Sequence, residues 1–393
     1  MSWPMVKLGS VGEFKAGFGF PIEYQGKKEG DYPFAKVGDI SAVVRSGHKN
    51  IFHAGNYIEK DILENLKAKT IPKGTIVFAK IGEAIKQNFR AVTSVEMVID
   101  NNVMGLVPDN NIVDTNYLFY FMRSLELYQF CGATTIPALR KSMLENIQIP
   151  LPPLSEQKRI AAILDKADGI RQKREQAIKL ADDFLRAKFL EMFGTPANNI
   201  HRFPTGKIRD LVDSVNYGTS AKASIDSGEY PILRMGNITY QGGWDFTDLK
   251  YLDLSVKEKD KFLVKEGDLL FNRTNSKELV GKTAVYEENR PMAFAGYLIR
   301  VRPNPIGNNY YISGYLNSIH GKITLMNMCK SIVGMANINA QELQNIEILI
   351  PPKHLQDEYE IIYKKIKKGL SIYDKSAMQL QLLASNLSNE YFM

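Results

Sequence analysis

The chain repeats itself once, over the length of a whole domain. Tyr32-Pro33-Phe34-Ala35-Lys36-Val37-Gly38-Asp39-Ile40 returns half a chain later as Tyr230-Pro231-Ile232-Leu233-Arg234-Met235-Gly236-Asn237-Ile238. Farther on, Leu139, Leu144, Asn146, Ile147, Ile149 and Pro152-Pro153 return as Ile338, Leu343, Asn345, Ile346, Ile348 and Pro351-Pro352, at nearly the same displacement. Periods of ~20 to 50 residues build solenoids and propellers. A period of half of a 393-residue chain builds two copies of a domain with its connector. Two similar domains imply two similar sites.

Each copy opens on a Pro-x-x-Lys-(Leu/Ile) entry, Pro4 to Leu8 and Pro204 to Ile208. Branched and aromatic runs bounded by glycine follow: Thr75 to Ala79 after Lys73-Gly74, and Asp268 to Asn272 after Glu266-Gly267. Such runs read as strands, and Tyr117 to Leu127 and Tyr310 to His320 as helices between them. After each Pro-Pro the pattern changes to charged, helix-favouring residues, Leu154 to Phe193 and Lys353 to Phe392. In the first, Ile160, Ile163, Ala167, Ile170, Ala177, Ala181 and Phe184 fall at steps of 3 and 4; in the second, Tyr359, Ile362, Ile366, Tyr373, Ala377, Leu380 and Leu387 do much the same. This is a coiled-coil seam, and each helix can reach ~60 Å. The stripes are too narrow for burial all round, so each helix is the other's natural partner. The short link from Gly194 to Thr205 favours antiparallel over parallel packing. The expected fold is therefore α+β: sheet-rich domains at 1–153 and 194–352, separated by long antiparallel coiled-coil helices at 154–193 and 353–393 and related by a pseudo-twofold.

At 44% hydrophobic residues the chain has material for separate cores. The N-terminus lacks an apolar signal region and no run of 18 apolar residues occurs, so no membrane segment is expected and a cytoplasmic location is. Cys131 and Cys329 hold the same place in their repeats and read as small core hydrophobes in a reducing compartment, not as a disulfide. The net charge of +7, with a pI near 9.0, is compatible with a polyanionic partner but decides nothing alone.

Enzyme signatures fail one by one. Gly281-Lys282-Thr283 resembles the tail of a phosphate-binding loop, but Ser276 stands where that loop needs glycine. Gly17-Phe18-Gly19-Phe20 is followed at once by Pro21 rather than by a phosphate-holding helix, and reads as a tight turn. There is no Asn-Pro-Pro-Tyr motif for amino methylation. His48, His53, His201, His320 and His354 show no metal-ligand spacing. Neither a catalytic residue nor a metal ligand is assigned.

The polar clusters are the candidates for recognition. Asn272-Arg273-Thr274-Asn275-Ser276-Lys277-Glu278 directly follows a β-like run, and aligning Phe78 with Phe271 places Lys80 opposite Arg273, with Lys86, Gln87 and Asn88 beyond. Arg and Lys reach guanine or phosphate, and Asn and Gln pair with adenine edges. The competing reading is a hairpin loop whose Asn and Thr satisfy their own backbone. A second pair precedes each long helix: Thr134-Thr135-Ile136-Pro137-Ala138-Leu139-Arg140-Lys141, and Val333-Gly334-Met335-Ala336-Asn337-Ile338-Asn339. These either offer backbone groups to phosphates or pack a turn. Arg140 matches Asn339, so two homologous domains with different tips should read different things. The candidate DNA-contacting set is Lys80, Lys86, Gln87, Asn88, Arg140, Lys141, Asn272, Arg273, Thr274, Asn275, Lys277, Lys282, Asn337 and Asn339.

The chain resembles the specificity subunit of type I restriction-modification systems. The likeness is carried by the twofold repeat, by Ile149-Pro150-Leu151-Pro152-Pro153-Leu154-Ser155-Glu156-Gln157 before a long helix, by its echo Ile348-Leu349-Ile350-Pro351-Pro352-Lys353-His354-Leu355-Gln356, and by Leu270 to Asn275 with Leu279-Val280-Gly281-Lys282. Glu-Gln has become Leu355-Gln356 in the second half, which leaves the equivalence of the two helix starts open. The resemblance implies a non-catalytic, DNA-binding subunit. Each domain would read one part of a split, asymmetric double-stranded site. The helices would set the gap and dock adenine methyltransferase subunits, with Arg171, Lys173, Arg174, Lys364, Lys365 and Lys367 as docking candidates. S-adenosylmethionine, and ATP with Mg for a motor-nuclease subunit, would sit on partners and not on this chain. The alternatives are a DNA-modifying enzyme with an unrecognised active site, and a scaffold whose repeats bind two proteins.

Overall fold

The computed structural model describes residues 3–132, 136–276, 279–332 and 335–392. The chain divides into two compact units, 1–175 with 374–393, and 176–373. The division cuts both long helices, Leu154–Phe193 and Lys353–Phe392, so each unit owns half of each.

In the first unit Met5–Lys7 pairs antiparallel with Gln148–Pro150, closing the domain just before the Pro-Pro. A five-stranded sheet runs in the order Gly12–Ala16, Val103–Pro108, Ile76–Ala79, Arg90–Thr93, Asn50–Ile51. A three-stranded sheet runs Asn56–Ile58, Tyr32–Ala35, Val98–Ile99. The second unit repeats the plan. Thr205–Lys207 pairs with Glu347–Leu349; a four-stranded sheet runs Val212–Tyr217, Leu298–Pro303, Leu269–Asn272, Thr283–Val285; a three-stranded one runs Lys250–Leu252, Tyr230–Leu233, Ala293–Phe294. The second unit has a small sheet, Thr274–Asn275, Met335–Asn337, Lys330–Ile332, where the described residues of the first show isolated bridges from Ile81 to Ala138 and from Cys131 to Leu139.

A helix lies against each larger sheet: Thr115–Ser124, capped by the Asp114 carboxylate, and Asn309–Asn317, capped by the Asn308 amide oxygen. Their buried tyrosines tie the domain to its exit strand, Tyr117 donating to Pro150 O at 2.7 Å and Tyr311 to Leu349 O at 2.8 Å. The glycine-rich Gly17 segment is not a tight turn. A Cβ at Gly17 would lie 2.0 Å from Asp100 O, and one at Gly218 would lie 2.2 Å from Phe294 O, so glycine permits a close backbone approach at both places.

The helix starts, left open by the Leu355-Gln356 departure, are equivalent. Gln157 is buried and its Nε2 donates to Ile112 O and Pro152 O, at 3.1 and 2.8 Å. Gln356 is buried and donates to Ile306 O and Pro351 O, at 3.0 and 2.8 Å. The glutamine is therefore the part of the motif that locks helix to domain, while Glu156 is spent on an exposed pair with Arg159. In the first unit Ile160, Ala161 and Leu164 share a core with Phe392; in the second Phe189 and Phe193 share one with Tyr359. Within each unit the beginning of one long helix lies with the end of the other, an antiparallel pairing. The expected seam drifts, however. Phe184 is exposed, and Leu185, Phe189 and Phe193 are buried instead. Here the helix turns toward the second domain, where Phe189 stacks on Tyr311. Cys131 borders the first core and Cys329 the second, both half-buried and unbridged.

One packed cation in the second unit costs stability. The Lys322 ammonium lies 5.0 Å from the Tyr240 ring centre, and burial, with Arg186 and Lys282 nearby, pushes its pKa down to about 8. An unfolded lysine keeps its proton to about pH 10.4. Between those values the unfolded chain binds the proton more tightly, so stability rises with pH across that window, and below pH about 8 the whole cost is present. Lys322→Met should stabilise the second unit by about 1–3 kcal/mol at pH 7, with the gain shrinking toward pH 10. Thermal melts at the two pH values measure it.

Candidate nucleic-acid interface

The candidate surface is built at the end of the strand Leu269–Asn272 and at its counterpart, Ile76–Ala79. Backbone hydrogen bonds make the two places equivalent. Lys80 N donates to Asn102 O and Lys80 O accepts from Leu139 N; Arg273 N donates to Tyr297 O and Arg273 O accepts from Ile338 N. Lys80 therefore matches Arg273, Ala138 matches Asn337, and Arg140 matches Asn339.

In the second unit the structure gathers a compact group. Arg273 is half-buried, its guanidinium centre 4.8 Å from the Tyr217 ring centre, and its Nη2 donates to Asn337 Oδ1 at 3.2 Å. The Tyr217 hydroxyl accepts from Ala340 N at 2.9 Å. Asn339 caps the short helix Ala340–Gln344, its side chain accepting from Gln341 N and Glu342 N. Its side chain is thus engaged in holding Tyr217's anchor. Arg209, Tyr217, Asn339, Ala340, Gln341 and Gln344 line a shallow depression of about 570 Å³ beside this group. Tyr217 is exposed at its edge, and the exposed Tyr297 supplies the backbone oxygen that accepts from Arg273 N. Neither tyrosine stood out in the sequence; the usable signal was Tyr217 at a strand end where the repeat has Ala16.

Several expected contacts lie elsewhere. Asn272 is fully buried, with Nδ2 toward Leu279 O. Lys282 is buried, its ammonium on Ile238 O and its pKa lowered by burial, so it is a core tie and not a surface cation. Thr274 is also buried, in the small sheet, and the Asn275 side chain accepts from Ser276 N. Sequence position favoured these as a polar tip; strand pairing takes Asn272 into the larger sheet and Thr274 and Asn275 into the small one, and Lys282 turns to Ile238 O. Lys277 lies outside the described residues, as do Thr134, Thr135, Val333 and Gly334.

In the first unit Lys80 is half-buried, and among the described residues its ammonium has no partner. Lys86 is exposed, paired with Glu83 at 2.7 Å and 4.8 Å from the Tyr128 ring centre. Gln87 accepts from Arg45 at 3.1 Å. Asn88 is structural: it takes a left-handed φ of 56°, donates to Leu125 O and accepts from Leu127 N. Arg140 is exposed before the short helix Lys141–Glu145, and Lys141 pairs with Glu145 at 3.6 Å.

Of the helix cations, Lys173 and Lys365 are exposed and Arg174 is half-buried. Arg171 pairs with Glu175 at 2.6 Å, and Lys364 with Glu360 at 2.7 Å. Lys367 does not face outward: it pairs with Asp182 of the first long helix at 3.2 Å. Among the described residues no helix is long and apolar enough to cross a membrane, and no group of His, Cys, Asp or Glu is arranged to hold a metal ion.

The chain matches the model of the type I restriction modification DNA specificity domain twice, over residues 2–180 and 202–384. It belongs to that family. Among its relatives are the type I restriction enzyme EcoKI specificity subunit of Escherichia coli (strain K12), 22% identical across 93% of this chain and 87% of that one, and the StySPI specificity subunit of Salmonella potsdam, 23% identical across 86% and 82%. The fold matches the crystal structure of the S subunit from M. genitalium with a TM-score of 0.64, at 16% identity over 100% of this chain and 96% of that one. As a member of the specificity family the chain carries two target-recognition domains, and the equivalence of Lys80 and Arg273 lies between corresponding places in them.

Proposed function

We propose that this chain is the non-catalytic DNA-reading subunit of a type I restriction-modification complex, with each domain reading one half of a bipartite, asymmetric double-stranded site. The observation that carries this is one strand-end position bearing different chemistry in the two domains: Lys80 beside Ala138 in the first, Arg273 beside Asn337 in the second. A difference at matched places suits two half-sites of different sequence, and the double match to a DNA specificity domain favours DNA over two proteins as what these tips meet. Methylation chemistry, with S-adenosylmethionine, belongs to adenine methyltransferase subunits docked on the long helices, where Lys173, Lys365 and Lys364 are the best-placed cations. ATP and Mg belong to a motor-nuclease subunit. The assembly acts in the cytoplasm.

The long helices, in this reading, set the spacer between the half-sites. Four residues make slightly more than one turn and add ~6 Å, and base pairs stack at ~3.4 Å per strand step. Inserting four residues in both helices, after Ala177 and after Ala377, should lengthen the preferred spacer by about two base pairs while both half-sites stay the same. Binding to duplexes with fixed half-sites and variable gaps measures this. A folded variant that keeps its original spacer would assign the distance to the methyltransferase subunits or to DNA bending.

A further inference from the structure

We propose that Arg273 is a pre-set guanine reader positioned by Tyr217 and Asn337, and that Lys80, Ala16 and Ala138 at the matching places of the first domain do not repeat it, so the two half-sites are read by different chemistry. This rests on the reading that the strand-end cluster faces DNA. Arg273 is held from two sides: its guanidinium lies over the Tyr217 ring at 4.8 Å, and its Nη2 is fixed by Asn337 Oδ1 at 3.2 Å. The ring is fixed in turn, because the Tyr217 hydroxyl takes Ala340 N at 2.9 Å. Arg273 Nε is buried without a hydrogen bond among the described residues, while the Nη2 bond to Asn337 lies at the exposed end of the side chain. A planar fork held in one orientation matches the O6 and N7 acceptors of guanine in the major groove, and holding it beforehand removes the ordering cost that a mobile arginine pays on binding. A phosphate can take the same fork, but a phosphate contact carries no sequence information, and the selection below separates the two.

In the first domain all three members are replaced. Gly17 N donates to Val103 O as Gly218 N donates to Leu298 O, which makes Ala16 the counterpart of Tyr217. With Lys80 for Arg273 and Ala138 for Asn337, the platform and the side-chain acceptor are both gone. What remains is the half-buried Lys80, whose ammonium is a point charge and not a planar fork.

The test is selection from a random double-stranded DNA library with the full chain assembled with its methyltransferase subunit. The wild type should return a split site with one invariant guanine in one half. Arg273→Lys and Tyr217→Ala should each relax that single position, by about 5- to 150-fold in guanine preference, while Tyr217→Phe, which keeps the ring, retains most of it. Lys80→Ala should weaken all sequences alike and reduce the salt slope by about 1. Thermal melts of each variant check the fold. If Arg273→Lys relaxes the position and Tyr217→Ala does not, the positioning role is overturned and the arginine reading stands. Uniform loss with Arg273→Lys would make the residue a phosphate contact and overturn the inference, with the DNA-facing surface intact. Relaxation at one base by Lys80→Ala would overturn the claimed difference between the domains. No change in any variant would overturn the placement of the DNA-facing surface itself.

Discussion

Deleting residues 374–393 should unfold the first domain, although that domain begins at the other end of the chain. Phe392 is 8% exposed and packs with Tyr117 and Phe121, ring centres 5.3 and 5.7 Å apart, inside the core that also holds Ile160 and Leu164. Leu387 and Tyr391 pack against the same core. Removing one large buried aromatic costs about 3–5 kcal/mol, a large share of the 5–15 kcal/mol that typically holds a domain. Phe392→Ala alone should therefore cost the first unit about 3 kcal/mol, and the deletion more. The chain has two tryptophans, Trp3 in the first unit and Trp244 in the second, so fluorescence-monitored denaturation in Trp244→Phe and Trp3→Phe backgrounds reports each unit separately. The Trp3 transition should shift and the Trp244 transition should not. A Trp3 transition that stays put would show that the first domain is complete without the chain's end.

Gln157→Leu should cost about 3 kcal/mol, again in the first unit only. Beyond its two donated bonds, the Gln157 Oε1 accepts Asp114 N at 2.8 Å, so one side chain satisfies three backbone groups where domain and helix join. Leucine fills similar space but leaves those groups unpaired, and an unpaired buried polar group costs about 1–3 kcal/mol, with incomplete additivity. Gln356→Leu should destabilise the second unit by less, because Gln356 satisfies only Ile306 O and Pro351 O and its own Oε1 is buried without a hydrogen bond. Glu156→Ala, one residue away, should change stability by less than about 1 kcal/mol, because its pair with Arg159 is at the surface. Equal effects of Glu156 and Gln157 substitutions would refute the lock.

Both predictions turn on residues whose partners come from distant parts of the chain, and this is where sequence and structure divide. The repeat, the strand runs after Gly74 and Gly267, the long helices after each Pro-Pro and the pairing of Lys80 with Arg273 were legible, because spacing along the chain sets strand and helix periodicity and equal local patterns fold alike. The side that each polar or apolar residue faces was not. Asn272, Thr274 and Lys282 look like an exposed polar tip, yet they are buried: Asn272 pairs with Leu298 in the larger sheet, Thr274 pairs with Asn337 in the small one, and the Lys282 ammonium is tied to Ile238 O. Phe184 fits the heptad, yet it is exposed while Leu185, Phe189 and Phe193 are buried, the last two in a core with Tyr311 and Tyr359 of the second unit. Tyr217, Arg273 and the segment from Asn337 to Ala340 are far apart in sequence, and only strand pairing brings them into one group. The sequence by itself determined a duplicated domain, its helical connector and its family; the tertiary structure decided which side chains are buried, which are braced, and that the last turn of the chain belongs to the first core, since burial is set by contacts between segments and not by order within them.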